Sequence, residues 1–307
     1  MHRLFLFLGL LIWSVYAQDL SSSSSTNYVE IPQNDSVQEP LHMGRFVAVA
    51  SLAGASYIGS YYLIFKNGWW SKESRNLHFE NDFNYAQNID KLGHFFAGVM
   101  LGEGFYDGFR WSGVSEFNSY LLAACMASTT HLGVEIKDGF APSWGFSVFD
   151  VLSGTLGGFY PMAKRYVPFM RYVDFKYSYW NNSNVYWDYC KLNKIDDGGV
   201  FTDDYTNETF WLSFKVGRLL PKSFNKVWPQ WLSLAGGVTV EPTLDGQGWW
   251  GHRDYLISLD YDFESIIKPK SYASSRVVSY LDLYKFPAPA IQVYPYRKYY
   301  LTYPIKF

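Results

Sequence analysis

The stretch from Asp90 to Gly158 constrains the fold of this chain more than any other. It contains three apolar, glycine-rich segments of helical length, separated by short loops. Its ionisable side chains lie near segment ends: His94 at the start of the first segment, Glu135 at the end of the second and Asp150 at the start of the third. Short loops make consecutive helices antiparallel, so these positions fall at one end of a bundle. The sequence therefore predicts one shared polar cluster.

The residue types of this cluster are those that bind metals or transfer protons. His131 and Glu135 lie four residues apart on one helical face, and Asp138 follows by three. With His94 and Asp150 they provide ligands of the kind that Zn²⁺ or Mn²⁺ accepts, so a divalent metal is one hypothesis. In an enzyme, His94 would act as general acid/base and Glu135 would orient or deprotonate it, while Asp138 and Asp150 would hold a cation or a substrate hydroxyl.

The alternative is that each group satisfies local structure. Ser147 and Asp150 fit a capping box, with Asp in place of the usual Glu. Asp90 suits the positive end of its helix, and Asn88 is predicted to cap that helix. Lys91 is expected to pair with carboxylates at the surface.

Upstream of the bundle, residues 1–17 read as a signal peptide, with a charged start, an apolar core and a small-residue cleavage site. Residues 18–43 are rich in Ser, Asn and Gln and are predicted to form a disordered tether. Gln18 stands where a lipoprotein signal would place cysteine, so no lipid anchor is expected. These features predict export to the cell envelope.

The region 44–168 is predicted to be a four-helix, membrane-like bundle. Phe46–Phe65 is uncharged and, at about 1.5 Å per residue, long enough as a helix to cross a bilayer. A helix buried inside a bundle is the alternative. The later helices are expected at about Ile89–Phe109, Glu116–Ile136 and Ser147–Tyr160.

From residue 169 to 307 the periodicity changes from helical to alternating. Phe175, Tyr177 and Tyr179 alternate with Lys176 and Ser178, and similar patterns recur further on. This period is typical of half-buried antiparallel strands. The chain is therefore predicted to be α+β, with a small antiparallel β-rich C-terminal part that packs on or beside the helices and faces the periplasm.

Composition limits the partners. The formal net charge of −2 gives no reason to expect nucleic acid. The aromatic content of 20% suits membrane interfaces or sugar-contacting surfaces, so a membrane lipid or an envelope glycan is the expected partner. Cys125 is interpreted as a small core residue, and a bridge to Cys190 is left open.

Several motifs together resemble a known family. They are Asp90-Lys91-x-x-His94, Glu135-x-x-Asp138-Gly139, Trp144-Gly145-Phe146-Ser147-x-x-Asp150 and, seven residues on, Gly157. This set resembles the domain-of-unknown-function family 2279, which includes YfiM-like predicted periplasmic lipoproteins. Two later stretches, at 204–213 and 287–290, are similar to its longer members. The resemblance implies an envelope location and a polar site, and it implies no reaction.

A fainter similarity reaches the VanZ-like membrane proteins, which share the Asp-Lys-x-x-His helix start, a Glu before the last helix and an Asp that opens a glycine-bearing helix. Gly154 departs from both patterns, which usually place Asn there.

Two functional hypotheses follow from this reading. The first is a membrane-associated envelope protein with a binding or structural role. The second is a lipid- or glycan-processing enzyme with His94, Glu135 and Asp150 as catalytic residues. In either case the predicted binding residues are His131, Asp138, Trp144 and Ser147.

Overall fold

The computed structural model describes residues 40–60, 70, 74–195, 199–244 and 251–305. The predicted signal peptide and the predicted tether up to residue 39 lie outside the described residues, as do positions 61–65 of the predicted first helix. The division of the chain at residue 168 stays a prediction.

The N-terminal part is helical. Its helices are α1 (Met43–Ser60), α2 (Ile89–Trp111), α3 (Glu116–Asp138) and α4 (Val148–Tyr166). Helix α4 runs six residues beyond the predicted end at Tyr160, because Pro161 is accommodated inside it.

Glycines bring α2 and α4 into backbone contact. A Cβ atom at Gly98 would overlap the carbonyl oxygen of Gly154, and one at Gly157 would overlap the carbonyl oxygen of Phe95. Only residues without a side chain permit such an approach. The predicted close packing of the glycine face of α4 is confirmed.

Helix α1 meets the others near the far end of α2. Val49 packs where Gly108 leaves room, and the rings of Phe46 and Phe109 lie 5.6 Å apart. The predicted four-helix bundle is not confirmed, since the close mutual packing among described residues is that of α2, α3 and α4.

The predicted membrane-spanning helices are not supported either. Within the described ranges, no helix combines the length and the apolar character needed to cross a bilayer. Charged side chains interrupt the apolar sequence of α2, where Asp90, Lys91 and Glu103 are buried inside the fold.

The C-terminal part is built on a six-stranded antiparallel sheet in which consecutive strands are neighbours. The strands are β1 (Val173–Tyr179), β2 (Glu208–Phe214), β3 (Leu232–Val240), β4 (Arg253–Tyr261), β5 (Ala288–Tyr294) and β6 (Lys298–Tyr303). Both the α+β class and the antiparallel C-terminal sheet are confirmed.

Shorter helices connect the strands. They are α5 (Val185–Asn193), α6 (Val216–Leu219), α7 (Phe263–Ile267) and α8 (Tyr272–Leu281). Cys190 of α5 is buried, whereas Cys125 of α3 is exposed, and no disulfide joins them. The core position predicted for Cys125 is therefore wrong, because its helix turns that face to the surface.

The sheet packs on α2 through aromatic side chains. Phe96 stacks on Tyr177 with ring centroids 4.9 Å apart, and Phe175 and Phe210 join Ile89 in one buried core. This contact brings the segment before β2 to the start of α2, where the predicted polar cluster lies.

Candidate functional site

Lys91 is the centre of the polar cluster. Its Nζ lies 2.6 Å from carboxylate oxygens of Asp82, Asp90 and Asp150. The predicted pairing of Lys91 at the surface is wrong, because its side chain is buried among these three carboxylates. They belong to a loop, to α2 and to the first turn of α4, so one ammonium group joins three parts of the chain.

His94 lies beside this group, one helical turn after Asp90. Its Nε2 atom is 3.7 Å from Asp90 Oδ1 and 3.7 Å from Asp150 Oδ1. One ligand atom from each of these residues can be chosen so that all lie within 4.8 Å of one another. One nitrogen and two carboxylate oxygens at this spacing could provide three ligands of a metal site.

A left-handed turn sets the start of α2. Ala86, Gln87 and Asn88 have φ of 46°, 57° and 68°. Such backbone is costly for residues other than glycine and persists where the surroundings hold it. Arg253 of β4 holds this turn in place: its Nε donates to the carbonyl of Gln87 (2.6 Å), and its Nη2 donates to the side chain of Asn88. The predicted side-chain cap by Asn88 is wrong, since this side chain is turned to Arg253 and to the carbonyl of Phe83.

Ser147 organises the start of α4. Its hydroxyl accepts from the backbone N–H of Asp150 (3.2 Å) and donates to Asp82 (2.5 Å), while its own backbone N–H donates to Glu135 (3.0 Å). The first half of the predicted capping box is therefore present. Instead of completing the box, the carboxylate of Asp150 faces Lys91.

Glu135 and Asp138 lie on the neighbouring side of the cluster. Burial and the nearby charge of Asp138 raise the pKa of Glu135 to about 8. Burial also raises the pKa of Asp138 to about 7, although the Trp70 indole N–H donates to its carboxylate at 2.5 Å. Both carboxyl groups are therefore proton-binding near neutral pH.

His131 completes the polar end without joining the three ligands. Its Nδ1 lies 3.0 Å from the carbonyl of Ala127, and its ring packs edge-on against His94 with centroids 5.8 Å apart. Burial lowers the pKa of His131 to about 4, so the ring is neutral. A Cβ atom at Gly154 would overlap the His131 ring, which explains the glycine where the related patterns place Asn.

The charges within the cluster oppose one another. Burial disfavours ionised Asp90, yet the charge of Lys91 and the hydrogen bonds from Lys91 and Tyr205 favour it, and the pKa of Asp90 is lowered. Burial, followed by the charge of Asp90, raises the pKa of Asp150. Burial also lowers the pKa of His94, which leaves its imidazole neutral and able to bind a metal.

Two contributors were missed by the sequence analysis. Asp82 lies in an irregular connection with no periodic signal. Tyr205 lies 115 positions after Asp90, yet its hydroxyl donates to Asp90 Oδ1 at 2.7 Å. The rings of Tyr85 and Trp144 continue from Tyr205 in edge-on contacts. The buried Trp144 Nε1 has no hydrogen-bond partner among the described residues.

The structure thus brings His94, Asp150 and Asp90 together, with Glu135 and Ser147 joined to them through the start of α4. Asp138 is turned to Trp70, and Trp144 lies beyond Tyr85. The catalytic and binding roles of these residues stay predictions.

Comparison with known families gives one match. Residues 67–164 match the model of DUF2279, described as a predicted periplasmic lipoprotein. The DUF2279 segment contains every motif of the polar cluster between Asp90 and Gly157, and the stretches at 204–213 and 287–290 lie outside it. No curated protein and no solved structure matches the chain. The match supports an exported, cell-envelope protein, and it identifies no reaction or ligand.

Proposed function

We propose that this is a cell-envelope binding protein whose DUF2279 segment holds one divalent cation between Asp90, His94 and Asp150. The observation that supports this most directly is the spacing of their ligand atoms, all within 4.8 Å of one another. Bound metal would join the start of α2 to the start of α4 and so stabilise the end of the bundle.

Charge balance supports a cation. Asp82, Asp90 and Asp150 surround the single ammonium group of Lys91. Burial raises the pKa of Asp150 to about 10, so a divalent ion that binds there would displace its proton. With all three carboxylates then ionised, the ion would neutralise the excess of two negative charges around Lys91. Buried charges are costly unless they are compensated in this way.

The donor set favours Zn²⁺ or Mn²⁺ over Ca²⁺. Imidazole is a good ligand for first-row transition metals, whereas Ca²⁺ takes oxygen ligands in larger number. His94 has 21% of its side chain exposed, against 9% for Asp90 and 6% for Asp150. Metal would therefore enter past the His94 ring, and solvent would supply a further ligand.

Titration of the purified, metal-free protein with ZnCl₂ and MnCl₂, followed by calorimetry and elemental analysis, tests the proposal. One equivalent of metal per chain is expected, with a higher melting temperature. His94→Ala and Asp150→Asn should each weaken binding at least about tenfold, as loss of a ligand does. The matched control is His78→Ala, a surface histidine outside the cluster. Binding that persists unchanged in both ligand variants would contradict the site.

The enzyme hypothesis keeps one supporting observation, the partial exposure of His94 beside two carboxylates. Glu135 and Asp150 are buried: Glu135 accepts a hydrogen bond from the backbone of Ser147, and Asp150 pairs with Lys91. Because both carboxyl groups already have partners within the fold, they favour the binding or structural role. Comparing envelope lipids and glycans of cells with wild-type protein and with His94→Ala, at equal protein levels, tests catalysis. Accumulation of a substrate species in the variant is expected if His94 transfers protons, and identical profiles would argue against it.

A further inference from the structure

The six-stranded sheet has an inverted distribution of polar and apolar side chains. One face, the inner face, has buried charged residues, among them Lys176 and Asp260, whose side chains are 0% exposed. The other, the outer face, has large apolar residues in the open, among them Leu212 and Ile257, each 47% exposed. An antiparallel sheet with one face in water normally has the opposite arrangement.

The inner face is a polar interior whose charged residues are held by ion pairs. Lys176 Nζ lies 2.9 Å from Asp260, and Lys215 Nζ lies 3.2 Å from Asp174. Lys285 lies over the Trp211 ring at 5.3 Å. These contacts show that the charged residues of the inner face are built into the fold.

The sheet curls around this interior. The hydroxyls of Thr209 on β2 and Tyr303 on β6 lie 2.7 Å apart, and the ring of Tyr303 contacts Trp211 with centroids 5.5 Å apart. In a flat sheet, four strand spacings of about 4.8 Å would separate β2 from β6. The inner face is therefore concave and the outer face convex.

Helices cover only part of the outer face. Phe175 and Phe210 belong to this face and are buried against Phe95 and Phe96 of α2. Beyond that contact, none of the described helices covers the face over β2 to β6. Its exposed apolar residues are Leu212, Leu234, Tyr255, Ile257, Ile291, Val293, Tyr294, Tyr299 and Leu301.

We propose that this bare, convex part of the outer face contacts the acyl chains of an envelope lipid bilayer. Each apolar side chain left in water costs free energy in proportion to its exposed area, and contiguous patches of this size mark interaction sites. A lipid environment removes that cost while the charged residues of the inner face remain shielded.

The end of the sheet where β3 begins has the chemistry of a membrane interface. Trp231 stacks on Tyr261, whose ring is followed by those of Phe263 and Phe286. Exposed lysines lie close to these aromatic residues in the sequence, at Lys226, Lys268 and Lys270. Aromatic rings favour the headgroup level, and lysines complement anionic lipid headgroups.

A bilayer fits better than a protein partner because exposed apolar residues extend beyond the sheet. Val148, Leu152 and Leu156 form an exposed stripe on α4, at four-residue spacing. A protein partner covers one patch, whereas lipid contacts apolar surface on several sides. This inference is independent of the proposed metal site.

Vesicle flotation of the purified protein tests the proposal, with vesicles of phosphatidylethanolamine and phosphatidylglycerol. The wild-type protein is expected to float with the vesicles. Leu212→Ser/Ile257→Ser should lower the partition coefficient at least about tenfold, through loss of apolar contact. The matched control is Leu192→Ser/Val277→Ser, which alters exposed apolar residues on α5 and α8, and it should float like wild type.

A second variant tests the lysines. Lys268→Gln/Lys270→Gln should lower binding to anionic vesicles by about fivefold per lysine and leave binding to phosphatidylcholine vesicles unchanged. Near-ultraviolet circular dichroism confirms that each variant is folded. The proposal is overturned if wild type fails to float, or if the folded serine variant floats equally well. It is also overturned if wild type without lipid is a stable oligomer that the serine variant dissociates, because a second copy is then the partner.

Discussion

At the residue scale, the polar cluster depends on the absence of a side chain at Gly154, because the His131 ring fills that space. The related patterns place Asn where this chain has Gly154, and the His131 ring occupies the space that the Asn side chain would need. The ring in turn packs against His94. Gly154 on α4 thus leaves room for the His131 ring of α3, and that ring packs against the proposed ligand His94 on α2.

Lys285, a lysine buried at the inner face of the sheet, should make the free energy of unfolding depend on pH. Burial outweighs the charge of Asp260 and lowers the pKa of Lys285 to about 8 from its ordinary value of 10.5. Between these values the unfolded chain holds a proton that the folded chain has released. The free energy of unfolding should therefore rise with pH in this window.

Urea denaturation at several pH values from about 7.5 to 10 measures this rise. In Lys285→Met the contribution of this residue should be absent, so the curve should be flatter than that of wild type. Lys226→Met, at an exposed lysine, should follow wild type. Parallel curves for wild type and Lys285→Met would show that Lys285 titrates normally in the folded protein.

At the element scale, backbone contact between α2 and α4 brings the three proposed ligands together. Gly98→Ala would place a methyl group on the carbonyl of Gly154 and force the helices apart. We expect a loss of about 1–3 kcal/mol in the free energy of unfolding, typical of overpacking.

Gly104→Ala is the matched control, because nothing lies within 4 Å of a Cβ at that position of the same helix. Higher helix propensity should stabilise this variant by about 0.5–1 kcal/mol. Chemical denaturation of both variants measures these two changes in the free energy of unfolding. Equal effects of the two substitutions would mean that the contact between the helices is looser than the geometry shows.

At the scale of the whole molecule, the sheet and the helical end are connected through Tyr205. This residue precedes β2, and its hydroxyl donates to Asp90 Oδ1 at 2.7 Å. Tyr205→Phe should lower the free energy of unfolding by about 1–3 kcal/mol, because a buried hydrogen bond to a charged group is lost. It should also weaken Zn²⁺ binding about tenfold or more, since Asp90 loses the group that orients it.

Denaturation and metal titration of Tyr205→Phe measure both effects, with Tyr299→Phe as the control because this tyrosine is exposed on β6. Reduced stability with unchanged metal affinity would confine Tyr205 to a structural role. If both quantities stay unchanged, the hydrogen bond from Tyr205 contributes nothing to the site.

Local sequence patterns were enough to predict the periodic elements and the end of the helices where ionisable groups collect. Helical spacing and short loops placed His94, Glu135 and Asp150 near one another, and strict alternation predicted the strands. These are local patterns, set by the geometry of each element. The predicted spanning helices are not supported among the described residues, and apolar content alone does not separate a packed bundle from a membrane helix.

Which of these groups come into contact depends on how the elements pack. Asp82 has no periodic signal and Tyr205 is remote in the chain, so their contacts with Lys91 and Asp90 follow from packing. The sequence also left open which face of the sheet is buried, because alternation identifies two faces without distinguishing the buried one. The sheet curls so that β2 and β6 approach each other, which buries the charged face and exposes the apolar one. The residues of a single strand do not determine this, because burial depends on how the whole sheet curves.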